Sequence, residues 1–273
     1  MWLTKKIKYY SRGYLRKKFS DPNHLYDNKD LFVKSLPQKK ILLIGIYLTD
    51  YPNQAEILKN QFSKSIQHEV VQKWYAIGEK PIPEYMVDVT IGYSKKKNPK
   101  FKVLNEILSD LDMSGYDLLI ISDDDIHLWD NFIDVYVGYI YKYDLKVAQP
   151  ARTKHSFYDH QICLQADSIV KARLTNFVEI GPIFSFSRDV FKYFLPFPSQ
   201  SPMGYGLDYI WPKIAEKWKF NIGIVDATPV DHSYRPQGKT YVSSENILKM
   251  QELFENFDNN ERDKKISYQY FKN

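Results

Sequence analysis

Tyr116-Asp117-Leu118-Leu119-Ile120-Ile121-Ser122-Asp123-Asp124-Asp125 decides how this chain is read. Four consecutive apolar residues, Leu118 to Ile121, are bounded on both sides by polar ones, the pattern of a short parallel strand buried on both faces. The strand runs directly into three carboxylates. Side chains alternate along a strand, so Asp123 and Asp125 are expected to project to one side and Asp124 to the other. Two carboxylates on one side, at the carboxyl end of a buried strand, make an oxygen-ligand site for a hard divalent cation. From Val103 to Tyr141 there is no Lys or Arg, whereas Glu106, Asp110, Asp112, Asp117, Asp123, Asp124, Asp125, Asp130 and Asp134 all carry carboxylates. Three adjacent ones cannot all stay ionised beside an apolar strand end without a cation or a raised pKa. The alternative is a solvated acidic turn; the buried strand ahead of the triplet favours the metal.

Working outward, further strands and helices alternate. Ile41 to Leu48 is an unbroken apolar run and reads as a strand. A helix over about 54–65 carries Ile57, Leu58 and Phe62 on one side, and strands follow at Glu69–Ile77 and Met86–Tyr93. Lys95, Lys96, Lys97, Lys100 and Lys102 then lead into a helix through Val103, Leu104, Ile107 and Leu108. Such a run is usually a solvated face or a nucleic-acid tail, but no nucleic-acid-binding signature accompanies it, so no nucleic-acid partner is expected. Its place before the carboxylate strand lets one lysine of the run reach a phosphate, without distinguishing which. After the triplet, Phe132, Val135, Tyr136, Tyr139 and Ile140 mark an amphipathic helix, and Leu145–Ala148 a strand closed by Gln149-Pro150. This alternation predicts an α/β fold in one domain, with ligands beyond the carboxyl ends of the strands.

The second half is harder to read. Residues 151–176 are polar and read as irregular; the spacing of His155 and His160 is not that of a metal pair. Phe177–Phe184 reads as a strand carrying one acid, Glu179, which is costly to bury alone. It either binds a sugar hydroxyl or pairs with Arg173 or Arg188. Ser201–Asp208 is a glycine-containing turn into a helix over about 209–218, where Asp208 is either an N-cap or a functional acid. Asn221–Val225 is a strand, followed by Asp226 and His232, and a last helix is expected over 244–257.

The basic N-terminal extension, residues 1–38, carries Lys5, Lys6, Lys8, Arg12, Arg16, Lys17 and Lys18 before any acid. Leu3, Ile7, Tyr10 and Tyr14 fall at helical spacing, so residues 1–18 can lie on an anionic membrane surface or dock on the domain. The domain proper is placed at 39–258 and a polar C-terminal tail at 259–273. The single cysteine, Cys163, excludes an intramolecular disulfide and any cysteine-cluster zinc site. No apolar run approaches the ~20 residues of a transmembrane helix, and no signal-peptide core is evident. The expected location is cytoplasmic, with peripheral attachment to the inner face of the membrane through the extension. Net charge is +5, and 22 Tyr, 16 Phe and 5 Trp are enough to supply stacking surfaces as well as a core.

A buried strand ending in Asp-x-Asp, then an acid after a glycine turn, then a late histidine, resembles the GT-A-type nucleotide-sugar glycosyltransferases. The sequence is similar in particular to the family catalogued as domain of unknown function 707. The blocks are Ser122-Asp123-Asp124-Asp125-Ile126; Leu145–Ala151; Phe177-Val178-Glu179-Ile180 with Pro182–Ser185; Gly204-Tyr205-Gly206-Leu207-Asp208; and Ile222–Asp226 with His232. They cover about residues 100–240. The resemblance implies a GT-A-like, Rossmann-like, mostly parallel central sheet flanked by helices. It implies Asp123, Asp125 and His232 as ligands of Mn²⁺ or Mg²⁺, and Asp123, Asp124 and Lys100 around a nucleotide-sugar donor. Asp208 is implied as catalytic base, with Glu179 the next candidate, and a glycan or glycolipid as acceptor. A metal-dependent nucleotidyltransferase or phosphohydrolase would use the same carboxylates. A glycan-binding protein without turnover would keep the fold alone.

Overall fold

The computed structural model describes residues 35–167, 169–235, 250, 253–254 and 265–272. The extension over residues 1–18 and most of the helix expected over 244–257 lie outside these.

Among the described residues nine strands form one sheet: β1 (Lys40–Leu48), β2 (Glu69–Ile77), β3 (Thr90–Ser94), β4 (Leu118–Ser122), β5 (Leu145–Arg152), β6 (Val170–Thr175), β7 (Ile183–Ser187), β8 (Asn221–Val230) and β9 (Ser267–Lys272). Their spatial order is β3-β2-β1-β4-β7-β5-β8-β6-β9. The β3-β2-β1-β4 half is parallel throughout, as is the β5–β8 pair. Only β7 and β6 run against the rest. The sheet is therefore mixed but mostly parallel. Its helices are α1 (Ala55–Phe62), α2 (Lys100–Ser109), α3 (Phe132–Lys142), a single turn α4 (Phe191–Phe194) and α5 (Leu207–Trp218).

Alternation along the strands sorts the core onto two faces. Ile41, Leu43, Leu118 and Ile120 pack with Leu58 of α1 and Tyr136 and Ile140 of α3. Leu42, Ile44, Leu119 and Ile121 pack with Leu104 of α2 and Ile210 and Trp211 of α5. Because both faces are covered, β1 and β4 are buried along nearly their whole length, which is why their sequences are continuous apolar runs.

Several boundaries differ from those expected. The strand predicted over 177–184 begins at Ile183, directly after Pro182, which has no N–H to give a ladder. The polar stretch 151–176 contains β6, whose Lys171 and Arg173 are buried. Arg173 reaches Asp226 at 2.8 Å, and that ion pair is what lets a charged sequence sit inside a sheet. β8 continues through Asp226 to Val230, and β5 through Pro150 to Arg152. Thr90–Ser94, not Met86–Tyr93, forms β3. Residues 267–272, expected in a polar tail, form β9 at the sheet edge.

Candidate active site

β4 ends at Ser122, so strand alternation does not carry through the acidic triplet. Each aspartate is turned by a different neighbour. The Asp123 N–H donates to the Pro182 carbonyl at 2.8 Å, and the Asp123 carboxylate meets the Lys100 ammonium at 2.6 Å. Lys100 opens α2, and its ammonium also donates to the Ile180 carbonyl at 3.3 Å. Of the lysine run, this one turns inward; Lys102 makes a surface contact with Glu106.

Asp124 was expected to face a donor and does not. It is 2% exposed, accepts a hydrogen bond from the Leu48 N–H at 2.7 Å, and receives Arg235 at 2.6 Å. It joins the end of β1 to the loop after β4 and forms the floor of the site. Burial drives its pKa up to about 6, against the pull of the Arg235 guanidinium and with the repulsion of Asp125.

Asp125 lies 3.2 Å from Nε2 of His232 and 3.1 Å from Arg235. Burial raises its pKa, but the His232 contact and the Arg235 and Lys100 charges outweigh that and hold the carboxyl below its usual range. Asp124 and Asp125 therefore share one cation. His232 reaches the site through a short antiparallel bridge: His127 N–H to Asp231 carbonyl at 2.8 Å and Asp231 N–H to His127 carbonyl at 3.1 Å. The His232 N–H donates to the Ser156 hydroxyl at 2.9 Å.

Of the candidate ligands Asp123, Asp125 and His232, the last two are thus brought together, while Asp123 is engaged by Lys100. Among the described residues no three His, Cys, Asp or Glu side chains converge as a metal shell. The Asp125–His232 pair nonetheless fits a divalent ion. Ligand atoms held at ~2.1 Å and near a right angle on one ion lie about 3.0 Å apart, and a hard oxygen with an imidazole suits Mn²⁺.

Behind His232 a buried polar chain continues. Its Nδ1 is 3.3 Å from the Arg152 guanidinium, which donates to the Gly181 carbonyl at 2.8 Å and meets Glu179 at 2.5 Å. Glu179 thus pairs with Arg152 and with neither expected partner, since Arg188 lies against Asp117 and Arg173 against Asp226. The Glu179 contact is an ion pair whose angles fall outside those of a hydrogen bond. Burial raises the Glu179 pKa, opposed by Arg152.

Asp208 is not an N-cap. The capping position is Gly206, whose φ of 90° suits glycine, and Asp208 sits inside the first turn of α5. There His160 lies 3.8 Å from its carboxylate. Burial and then the charge of Glu179, opposed by Lys265, push its pKa up to about 7. The other members of the acidic stretch include structural groups. Asp117 accepts from the Lys40 N–H, and Asp134 binds Ser65 and the Ile66 N–H.

Sequence reasoning missed Arg152 and Arg235. Neither lies in a run or at a motif spacing, and each acquires meaning only when the fold sets it against carboxylates distant in the chain.

No family model matches the sequence, and no curated protein matches it. Solved structures do. One is GalNAc-T7 with UDP, GalNAc and Mn²⁺, at a TM-score of 0.56 and 9% identity, covering 80% of this chain and 48% of the other. Another is S. aureus TarS 1-349 in complex with UDP-GlcNAc, at 0.51 and 11%, covering 78% and 65%. The fold is GT-A-like. This chain spans about half of the first neighbour and about two thirds of the second, and the likeness is one of architecture. The carboxylate cluster occupies the place where such open α/β sheets bind ligands, beyond the carboxyl ends of β1 and β4. Among the described residues no helix is long and apolar enough to cross a membrane.

Proposed function

We propose that this protein is a metal-assisted glycosyltransferase that moves a sugar from a nucleotide-sugar donor to a hydroxyl of a glycan or glycolipid acceptor. The observation that carries this is the convergence of Asp123, Asp125, Lys100, His232 and Arg235 beyond the carboxyl ends of β1 and β4 in a GT-A-like sheet. Both solved neighbours were crystallised with a uridine nucleotide or nucleotide sugar, one of them with Mn²⁺, and we carry that donor class over as part of the proposal. The five sequence blocks place the chain, by the same proposal, beside the family of domain of unknown function 707.

Asp125 and His232 would hold the Mn²⁺ or Mg²⁺ ion, and Asp123 becomes available to it when Lys100 shifts its charge to a donor phosphate. The bound cation supplies Lewis-acid neutralisation of the leaving diphosphate. Lys100 and Arg235 provide two further cations at the same place. Asp208 takes the acceptor hydroxyl proton, and its pKa of about 7 suits a general base working near neutrality. One base and a direct displacement invert the anomeric carbon. Glu179 is held by Arg152 and positions the loop 179–182 that walls the site. Cytoplasmic location and attachment of residues 1–18 to an anionic membrane surface belong to the same proposal.

The test is release of UDP from UDP-GlcNAc, UDP-GalNAc and UDP-glucose with Mn²⁺, then with a chelator. Metal-dependent release that is lost in Asp125→Asn supports the reading; release insensitive to both overturns it.

A further inference from the structure

A cavity of about 390 Å³ lies against α5, and none of the acidic triplet lines it. It is lined by Asn176 and Phe177 after β6, by Asp208, Tyr209 and Lys213 of α5, and by Lys265 and Tyr268 at the start of β9. That size is within the range of small-ligand sites. The chain links the two places closely. A Cβ on Gly181 would lie 3.2 Å from Asp123 and 3.4 Å from the Lys100 ammonium, whereas Phe177 lines the cavity. Four residues of extended chain reach at most ~14 Å, so the cavity opens within the length of a few sugar rings of the carboxylates.

The lining has the chemistry of a sugar site. Tyr268 is 56% exposed although it lines the cavity, so its ring offers a flat apolar surface with a polar tip. A pyranose is complementary, with C–H faces and a rim of hydroxyls. The Lys265 ammonium is fixed, donating to the Tyr209 hydroxyl at 2.9 Å and lying 4.9 Å from the Phe177 ring centroid. Lys213 and Lys265 stand beside Asp208 and Glu216, so the lining is not a cluster of one charge sign. Along β9, Tyr270 lies two residues on, about 7 Å from Tyr268, and is 49% exposed. That spacing provides a second ring for a chain longer than one sugar.

We propose that this cavity is the acceptor subsite and that it takes a neutral, hydroxyl-rich glycan, with one ring stacked on Tyr268 and the next extending towards Tyr270. The proposal deepens the transferase reading and rests on it for the word acceptor; the binding of a neutral sugar stands on the cavity alone. Occupied in this way, the cavity brings a sugar hydroxyl to the Asp208 carboxylate, and the substrate itself completes the link between α5 and the strand-end site.

Saturation-transfer NMR with the methyl glycosides of glucose, galactose, N-acetylglucosamine and N-acetylgalactosamine, and with lactose and cellobiose, tests this directly. Calorimetry of UDP with Mn²⁺ is run on the same samples. At least one glycoside is expected to receive saturation. Tyr268→Ala should weaken that binding at least tenfold with unchanged UDP affinity and melting temperature, Tyr268→Phe should keep it, and Tyr270→Ala should weaken only the disaccharides. No transfer to any of these sugars, or equal transfer in Tyr268→Ala, overturns the subsite. Sugar binding without UDP binding would overturn the donor reading and leave the cavity standing; UDP binding without sugar binding would do the reverse.

Discussion

The guanidinium of Arg152 lies 2.5 Å from the Glu179 carboxylate, with side chains 4% and 6% exposed, in the interior between the acidic triplet and α5. Two charges so far from water are tolerable only together, and Arg152 gains further bonds to the carbonyls of Phe157 and Gly181. Glu179→Ala leaves that guanidinium without its counter-charge and should cost about 3–5 kcal/mol. Glu179→Gln keeps an acceptor and should cost less. Urea denaturation of the two variants checks both the size and the order. Equal, small losses would mean that Arg152 finds another partner.

Asp125→Asn keeps the side chain's size and removes its charge. The carboxylate is held ionised by His232 and Arg235, so the change should abolish Mn²⁺-dependent UDP binding while folding is retained. Calorimetry with and without Mn²⁺ reads this, and unchanged affinity would remove Asp125 from the metal site.

Lys100→Ala removes the cation that faces Asp123 at 2.6 Å. A hydrogen bond to a charged group contributes about 1.5–3 kcal/mol, so UDP affinity should fall roughly 10- to 100-fold. The same titration at raised salt should narrow the gap between variant and wild type, since part of the effect is screened. Lys102→Ala, on the surface, should change neither.

β1 and β4 could be read directly, because strands buried on both faces leave continuous apolar runs that end in polar or turn residues. The acidic triplet was legible for the same reason. The orientation of its members was not, because the strand stops at Ser122 and each aspartate then follows a tertiary partner. β6 escaped notice because it is Val-Lys-Ala-Arg-Leu-Thr, and its buried arginine is explained only by Asp226 on the neighbouring strand. β7 starts only at Ile183, directly after Pro182, which has no N–H to give a ladder. Arg152 and Arg235 carry no local signal at all. Pattern reports burial; partnership across the sheet has to be seen in three dimensions.

Asp208 separates a structural from a chemical role most sharply. Asp208 sits inside the first turn of α5, where an asparagine oxygen can face the free backbone N–H groups as a carboxylate does. Burial and Glu179 raise its pKa to about 7, above the 3.8 of an ordinary aspartate. The folded protein thus binds a proton that the unfolded chain has released, and this group's contribution to stability is present below pH 3.8 and is lost as pH rises towards 7. Asp208→Asn has no such titration. Relative to wild type it should therefore gain stability steadily between pH 4 and 7, visible as a melting-temperature difference that moves in its favour. Turnover should behave in the opposite sense. Wild-type transfer is expected to rise with pH as the carboxylate ionises near 7, and loss of a general base lowers rate by about 10²–10⁴. Asp208→Asn should then bind UDP with Mn²⁺ normally, melt at or above the wild-type temperature at pH 7.5, and transfer almost no sugar at any pH. Near-normal transfer with an unaltered pH profile would show that Asp208 serves α5 alone and that the proton leaves by another group.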